Sequence, residues 1–420
     1  MTVEYRQFPA SVTPQGPDPD TSRWMRAAFD GFLVNHPDPG EAQRIASSWQ
    51  AEGRTLHAFY DPRETPNGFL GNDVPVATMA TFTAGLHGGG DADIPCLLVA
   101  DVTVRTTHRG QGLMRRLMDR VLAEASRQGV PLAALHAAHP ALYERFGFAP
   151  ATRSASIEVD CARFALKVQP PGLVHEADPG IVALFDGQLS ASGRARHLGA
   201  LQPHRVPTDA VSRRATAERG SRCLVHVDAS GQVDGMMTFV FRGWTPDAQV
   251  IDVLSESWCT TDARAALWQT VTSTGIATTV RARDTALDEP LQWMLQDRSA
   301  MRVTAVTDGL SLRILDTAKA LEGRGYCCPP ASVALEVVDA LDTVAGRWRI
   351  TVNDGRATLR ATCEPPEVQL HAVDMAAVFL GATRVNTLAD AGRVTGSPSA
   401  LATLTMVMSA SSDPLSTLHF

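Results

Sequence analysis

The chain has 420 residues, 38 of them basic and 45 acidic, and a formal charge of −7. At about 150 residues per domain this length predicts two or three domains, and 44% hydrophobic with 20% charged residues excludes disorder and collagen-like repeats. The acid excess argues against a nucleic-acid binder, which needs a basic surface to neutralise phosphates, and leans toward a cationic ligand or partner.

All the basic residues except Lys167 and Lys319 are arginines. The cysteines are Cys96, Cys161, Cys223, Cys259, Cys327, Cys328 and Cys363. They form no C-x-x-C pair and no Cys/His spacing that fits zinc, so reduced thiols and no metal are expected. The first residues carry neither a basic start nor an apolar run, so no signal peptide is expected. No run of about 18 apolar residues occurs, so no membrane-spanning helix is expected. A soluble, cytoplasmic protein is the resulting expectation.

Along the chain, Thr21 to Phe32 and Glu41 to Glu52 read as helices, and Leu56 to Tyr60 and Val74 to Thr83 as strands. His87 to Asp91, with three glycines, reads as a hairpin turn rather than a phosphate loop, because no helix follows it. Leu97 to Val104 is a strand, Arg105 to Gly112 a polar turn, and Leu113 to Arg127 an amphipathic helix ended by Gly129 and Pro131. Leu132 to Ala137 is the next strand, followed by a short helix from Leu142 to Phe146. Pro170-Pro171-Gly172 signals a linker. Beyond it, Arg222 to Val227, Met236 to Arg242 and Val250 to Trp258 read as strands and Thr261 to Thr274 as a helix. This last strand–helix pair echoes Leu97 to Arg127 without the glycines, an internal repeat that has lost its anion site. The final region has a helix from Thr317 to Gly323 and strands at Val333 to Val338, Arg347 to Val352, Arg356 to Ala361 and Glu367 to Leu370. Helices at Asp374 to Leu380 and Pro398 to Met408 close it. Gly323-Arg324-Gly325 follows a helix, so it is no dinucleotide fingerprint. The expected units are 1–157, 158–308 and 309–420, mixed α/β and α+β in class.

The segment Leu97 to Phe148 carries the chemistry. A strand runs into Arg109-Gly110-Gln111-Gly112-Leu113-Met114-Arg115, which opens a helix. Unpaired N–H groups and the helix dipole favour an anion there, and glycines permit close backbone approach. A diphosphate flanked by Arg109 and Arg115 is one reading; a Gly-containing βα turn with surface arginines is the other. The parallel strand that follows leads into Ala138-His139-Pro140-Ala141-Leu142-Tyr143-Glu144-Arg145-Phe146-Gly147-Phe148.

The ordered pair of motifs resembles the GCN5-related N-acetyltransferase superfamily, with its R/Q-x-x-G-x-G/A loop and later Y-x-x-x-G-F segment. Met114 stands where that loop ends in a small residue. Val102 to Arg109, Leu135-His136-Ala137, Tyr143 to Thr152 and Gly381 to Leu388 are similar to one branch, the enhanced intracellular survival (Eis) acetyltransferases. The resemblance implies tandem GCN5-related acetyltransferase folds, the second inactive, plus a C-terminal sterol-carrier-protein-like domain. It further implies a hexamer and N-acetylation of amines on aminoglycosides or similar cationic small molecules. Acetyl-CoA is then the co-substrate. Val102, Thr103 and Val104 would meet its pantetheine arm, Arg109 to Arg115 (Gly110, Gln111, Gly112, Leu113 and Met114 included) its diphosphate, and Ala138 and His139 its neighbourhood. The Val102 or Thr103 amide is a candidate oxyanion donor.

Direct transfer needs one group to protonate the leaving thiolate and another to deprotonate the amine. Tyr143 suits the first role, against the reading of a half-buried core tyrosine. For the second, the resemblance points to the carboxylate of Phe420, against simple packing of an apolar chain end. His419 stands where relatives acting on aminoglycosides carry an acid. Trp24, Phe29, Asp30 and Phe32 are candidate substrate contacts, though their spacing fits a core-facing stripe equally. A protein-lysine acetyltransferase and a lipid carrier built on an inactive acetyltransferase scaffold are the rival expectations.

Overall fold

The computed structural model describes residues 3–64, 70–178, 181, 185, 189, 196–203, 218, 220–244 and 249–420. The chain is arranged around three large sheets, and the first two share a plan. In the first, the order is Glu4–Pro9, Thr55–Tyr60, Ala77–Leu86, Ile94–Val104, Leu132–His136, Leu310–Ile314 and Ala149–Pro150, with Leu201–Pro203 beside Ala77–Leu86. The strands Ile94–Val104 and Leu132–His136 run parallel, and the helix Leu113–Arg127 crosses between them. In the second sheet, the strands Gln249–Trp258 and Thr279–Thr285 are parallel and the helix Thr261–Thr272 makes the crossover. The echo read in the sequence is thus a repeated topology.

The two sheets exchange strands at their edges. Arg153–Asp160 follows the last strand of the first sheet, yet pairs with Thr279–Thr285 and Met301–Asp308 in the second. Leu310–Ile314 returns to the first sheet between Leu132–His136 and Ala149–Pro150. A division at 157/158 therefore cuts a strand, and one at 308/309 separates the first sheet from a strand that completes it. The signal at Pro170 to Gly172 is no loose linker either: His226 Nε2–H donates to the Pro171 carbonyl at 2.9 Å. The third sheet has the order Arg356–Ala361, Gly346–Asn353, Ala331–Val338, Val368–His371 and Val394–Gly396.

Local chemistry fixes the helix starts. Pro19–Phe32 and Pro39–Glu52 each follow a Pro-Asp-Pro tripeptide, in which Asp18 or Asp38 accepts from backbone N–H groups of the first turn and proline fills the first helical position. Both helices consequently begin two residues before the positions read from apolar spacing. Leu113–Arg127 and Pro398–Met408 lie where periodicity puts them.

One apolar cluster joins the first and third domains. Leu98, Ala134 and Leu312 of the first sheet share it with Val333, Ile350, Phe379 and Leu404. The second sheet has its own cluster around Ile157 and Trp268. Where the hairpin at residues 88–90 meets Gly323 to Gly325, backbone packs on backbone. Gly325 N–H donates to the Gly88 carbonyl at 3.0 Å, and a Cβ on Gly325 would overlap Gly89. Both glycine motifs are halves of one seam.

A second tie reaches the short helix Ala141–Glu144. Arg313 is fully buried in the first sheet and its guanidinium forms a bidentate pair with Asp339, at 3.2 and 2.7 Å. Asp339 also accepts from the N–H groups of Leu341, Thr343 and Val344. The guanidinium runs over Gly147, which has φ +80° and no room for a Cβ. Gly147→Ala should therefore lower unfolding stability by about 3 kcal/mol or more, from left-handed strain plus overlap, as read by urea denaturation.

His57 is buried between two hydroxyls, Thr81 Oγ1 and Tyr5 Oη, both at 2.8 Å. The Tyr5 hydroxyl donates to Gln7, so it accepts from His57 Nδ1–H, and Thr81 donates to Nε2. Burial, with Arg120 adding repulsion, lowers its pKa to about 4. The unfolded chain takes up the proton first, so this stabilisation is complete above about pH 6.5 and is lost as pH falls toward 4. His57→Gln should remove about 3 kcal/mol of the stability lost between pH 7 and pH 4, measured as the pH dependence of the urea midpoint.

Candidate active site

The parallel pair in the first sheet is hydrogen-bonded only over Cys96 to Leu98 and Leu132 to Ala134. Both strands continue, to Val104 and His136, and so part. The parting coincides with a bulge. The register against Ala77–Leu86 shifts between Thr78 and Ala80, and Asp101 takes φ +52°. Thr78 Oγ1 donates to the Asp101 carbonyl at 3.0 Å and lies 2.7 Å from the Thr103 hydroxyl, which locks the bulge. The Thr103 side chain is thereby committed to structure. Beyond Leu98 the edge of the strand toward Leu132–His136, Val102, Thr103 and Val104 included, is released from that pairing.

The turn beyond Val104 is pinned from below. Arg105 donates to the carbonyls of Val74 and Pro75, each at 3.1 Å. His108 is buried, with Nε2 3.2 Å from Asp61 and Nδ1 2.8 Å from Thr107. Hydrogen bonds from Arg63 hold the Asp61 carboxyl well below the usual carboxylate range. Gly110 and Gly112 have φ +77° and +74°, and a Cβ on either would meet nothing within 4 Å. Of the described helices of ten or more residues, Leu113–Arg127 alone begins without a side-chain cap. Gln111 Oε1 is buried without a partner beside it. Open backbone and uncapped N–H groups fit a diphosphate. Among the described residues, the Arg109 side chain reaches only the Val104 carbonyl, at 3.4 Å, and is exposed, as is Arg115. Met114 is half-buried against the core beneath the helix.

Tyr143 is half-buried on the same face as this helix, edge-on to Phe148 at 6.3 Å. Burial raises its pKa, which keeps the phenol protonated. Its hydroxyl has no hydrogen-bond partner among the described residues, whereas Tyr5 and Tyr326 spend theirs on Gln7 and Leu321. Ala138 and His139 are exposed at the helix start, and the His139 carbonyl accepts from Leu142 N–H.

The last residues of the chain reach the opposite face of the parting. Phe420 lies edge-on to Phe82 at 5.6 Å and against His136 at 5.0 Å. His136 Nε2–H donates to the Leu418 carbonyl at 2.8 Å, and its ring stacks on His419 at 4.9 Å. Burial lowers the His136 pKa, so Nδ1 is the bare nitrogen of a neutral ring. His419 lies 3.1 Å from Asp284 of the second sheet. His136, Phe82 and Asp284 carried no site role in the sequence reading. His136 ends a recognisable strand, but no sequence signal ties Phe82 or Asp284 to the chain end.

The substrate candidates divide. Trp24 is fully buried, its indole N–H donating to the His57 carbonyl at 3.0 Å, with Trp49 at 5.4 Å. It is a core residue and cannot line a cleft. Phe29 is half-buried against the same core. Asp30 lies 2.7 Å from His36 and 3.9 Å from Arg26. Phe32 is 51% exposed. The helix bearing them crosses Thr103 at Gly31, where a Cβ would collide.

In the second sheet the corresponding helix start is filled from within. Thr260 caps it, accepting from Ala263 N–H at 3.1 Å, and donates to Asp234 at 2.7 Å. Beneath, Arg264 is buried between Glu256 and Glu289. A threonine hydroxyl, itself tied to Asp234, occupies the helix start that the first fold leaves uncapped.

Comparison with known proteins finds three parts along the chain. The profile described as an Acetyltransferase (GNAT) domain matches residues 18–151, a second so described matches 204–314, and a Sterol carrier protein domain matches 317–416. An uncharacterised N-acetyltransferase of Streptomyces griseus is 32% identical over 415 residues, covering 94% of each chain. The N-acetyltransferase Eis of Mycobacterium tuberculosis is 30% identical over 319 residues, covering 73% of this chain and 75% of its own. The crystal structure of Eis1 from Mycobacterium abscessus superimposes over 100% of both chains with a TM-score of 0.78 at 21% identity. That of a GCN5-related N-acetyltransferase from Anabaena variabilis gives 0.81 at 18% identity over 99% of this chain and 100% of its own. With its two acetyltransferase folds, the second filled, and its sterol-carrier-protein-like third domain, the chain belongs to the Eis family of GCN5-related N-acetyltransferases.

Proposed function

We propose that this acetyltransferase moves the acetyl group of acetyl-CoA directly to amines of aminoglycosides or similar cationic small molecules. The observation that carries this reading is the placement of Tyr143 and Phe420 on opposite faces of one gap between parted strands. Acetyl-CoA, when bound, supplies an acetyl thioester. Gly110 to Arg115 would hold its diphosphate, Val102 to Val104 its arm, and Arg109 and Arg115 add positive charge.

The remaining work falls to the chain. An ammonium cannot attack, so the amine must first lose a proton. The carboxylate of Phe420 accepts it on the face covered by Pro19–Phe32 and Pro39–Glu52. The freed amine bonds to the acetyl carbon, the carbon–sulfur bond breaks, and Tyr143, on the other face, gives its proton to the departing sulfur; the second proton lost by the acylated nitrogen passes through solvent and restores the phenol. A backbone N–H at the Asp101 bulge faces the developing oxyanion. Phe82, His136 and Phe420 make an apolar wall that lowers the local dielectric and strengthens these interactions. The overall charge of −7 favours approach of a polycation.

The test is a substrate panel of aminoglycosides, polyamines and lysine peptides with acetyl-CoA, read as mass gain and thiol release. Acetylation of peptides but not aminoglycosides would favour the protein-acetylating alternative. Tyr143→Phe should lower kcat about a hundredfold or more with the acetyl-CoA KM nearly unchanged. One residue appended to Phe420 should have a comparable effect; full activity with such an extension defeats the terminal-carboxylate role.

We also propose that the chain self-associates, as a hexamer by family likeness. The edge strand Met301–Asp308 supports this, since it is uncovered on its outer side, with Val303 50% and Val306 49% exposed. Light scattering should give six times the 45.0 kDa chain mass; a Val303→Arg, Val306→Arg variant should lower it.

A further inference from the structure

We infer that Asp284, a residue of the degenerate second acetyltransferase fold, is a positioning residue for the chain end that serves the first. The inference rests on the reading of Phe420 given above.

The last three residues are each held differently. The Leu418 carbonyl accepts from His136 at 2.8 Å. The Phe420 ring packs on Phe82 and His136. His419 stacks on His136 with its ring plane tilted by 26°, and its Nε2 meets Asp284 Oδ2 at 3.1 Å. His136 and Phe82 belong to the first sheet; Asp284 is the contribution of the second.

The backbone at Asp284 is unusual. It takes φ +56°, where an L residue other than glycine costs about 1 kcal/mol or more. The register between Thr279–Thr285 and Arg153–Asp160 shifts at the same point, between Ala282 and Thr285. Ser154 Oγ lies 3.4 Å from Asp284 Oδ1, so the two carboxylate oxygens face different partners. A strained, bulged acid with one oxygen on the tail is the arrangement expected of a clasp. A carboxylate on a free chain end samples many directions, and fixing it raises its effective concentration at the amine. The second fold, its own anion site filled, retains a task in the first one's reaction.

The test uses the full-length enzyme and needs no acceptor. Carboxypeptidase A releases phenylalanine from accessible chain ends, and the rate reports how firmly Phe420 is held. Asp284→Gly relieves the backbone strain while deleting the carboxylate, so its melting temperature should not fall. Its release of Phe420 should be about ten times faster than in the unmodified enzyme, with His419→Ala alike and the double variant no faster than either. With any amine the panel identifies, kcat should fall about tenfold for Asp284→Gly at constant acetyl-CoA KM, and Asp284→Asn, which keeps an acceptor oxygen, should recover part of it. Unchanged release in Asp284→Gly and His419→Ala overturns the clasp. Faster release in variants that keep full kcat overturns the positioning role. If instead the enzyme trimmed of Phe420 still transfers acetyl at full rate, the terminal-base reading fails, while the release rates still report the clasp.

Discussion

Arg54 is buried, and its guanidinium is shared by Glu52 and Asp101 while lying over the rings of Phe82 and Trp49. Burial pushes the Asp101 carboxyl up and Arg54 pulls it back, so the pair is stable only together. Removing one partner of such a buried pair costs about 3–5 kcal/mol. Here more than stability depends on it. Asp101 is the left-handed residue of the bulge, and the bulge turns Ile94–Val104 away from Leu132–His136. The ion pair beneath the sheet thus anchors the residue at which the strand bends, and Arg54 also underlies the Phe82 ring that Phe420 meets.

The second fold repeats the same plan with different side chains at its helix start. Its crossover helix starts on a threonine in place of a glycine, and the nearest carboxylate is the chain's own. A helix start left open in the first fold is thus closed in the second by a few polar side chains. The residue that still reaches outward, Asp284, does so toward the first fold.

Much of the first fold was legible because its signals are local. The 3.6-residue period marks Leu113–Arg127, the glycines mark its bare start, and the Tyr143 to Phe148 motif marks the short helix. The Pro-Asp-Pro caps were equally local and were passed over in favour of apolar spacing. Trp24 could not be assigned by spacing, because a stripe facing a core and one facing a cleft have the same period; only the His57 carbonyl decides it. Other features depend on partners far away in the chain. Gly147 is required by Arg313 and Gly325 by Gly89, and the chain end meets Asp284 through His419. Arg153–Asp160 (Ala155, Ile157 and Val159 alternating with polar residues) and Leu310–Ile314 (Leu310, Leu312 and Ile314 alternating with Ser311 and Arg313) carry the local two-residue period and were passed over all the same; what no local signal reveals is the sheet each one joins.

The exchange of edge strands has a consequence for how the protein comes into being. Leu310–Ile314 fills a place in the first sheet between two strands that were synthesised long before it. As the chain leaves the ribosome, the first fold must wait with an open slot while the whole second fold emerges. Arg153–Asp160 meanwhile waits for partners that come much later. Neither fold can close alone, so the inactive one is bound into the assembly of the active one, and its loss would leave an exposed sheet edge at the heart of the molecule.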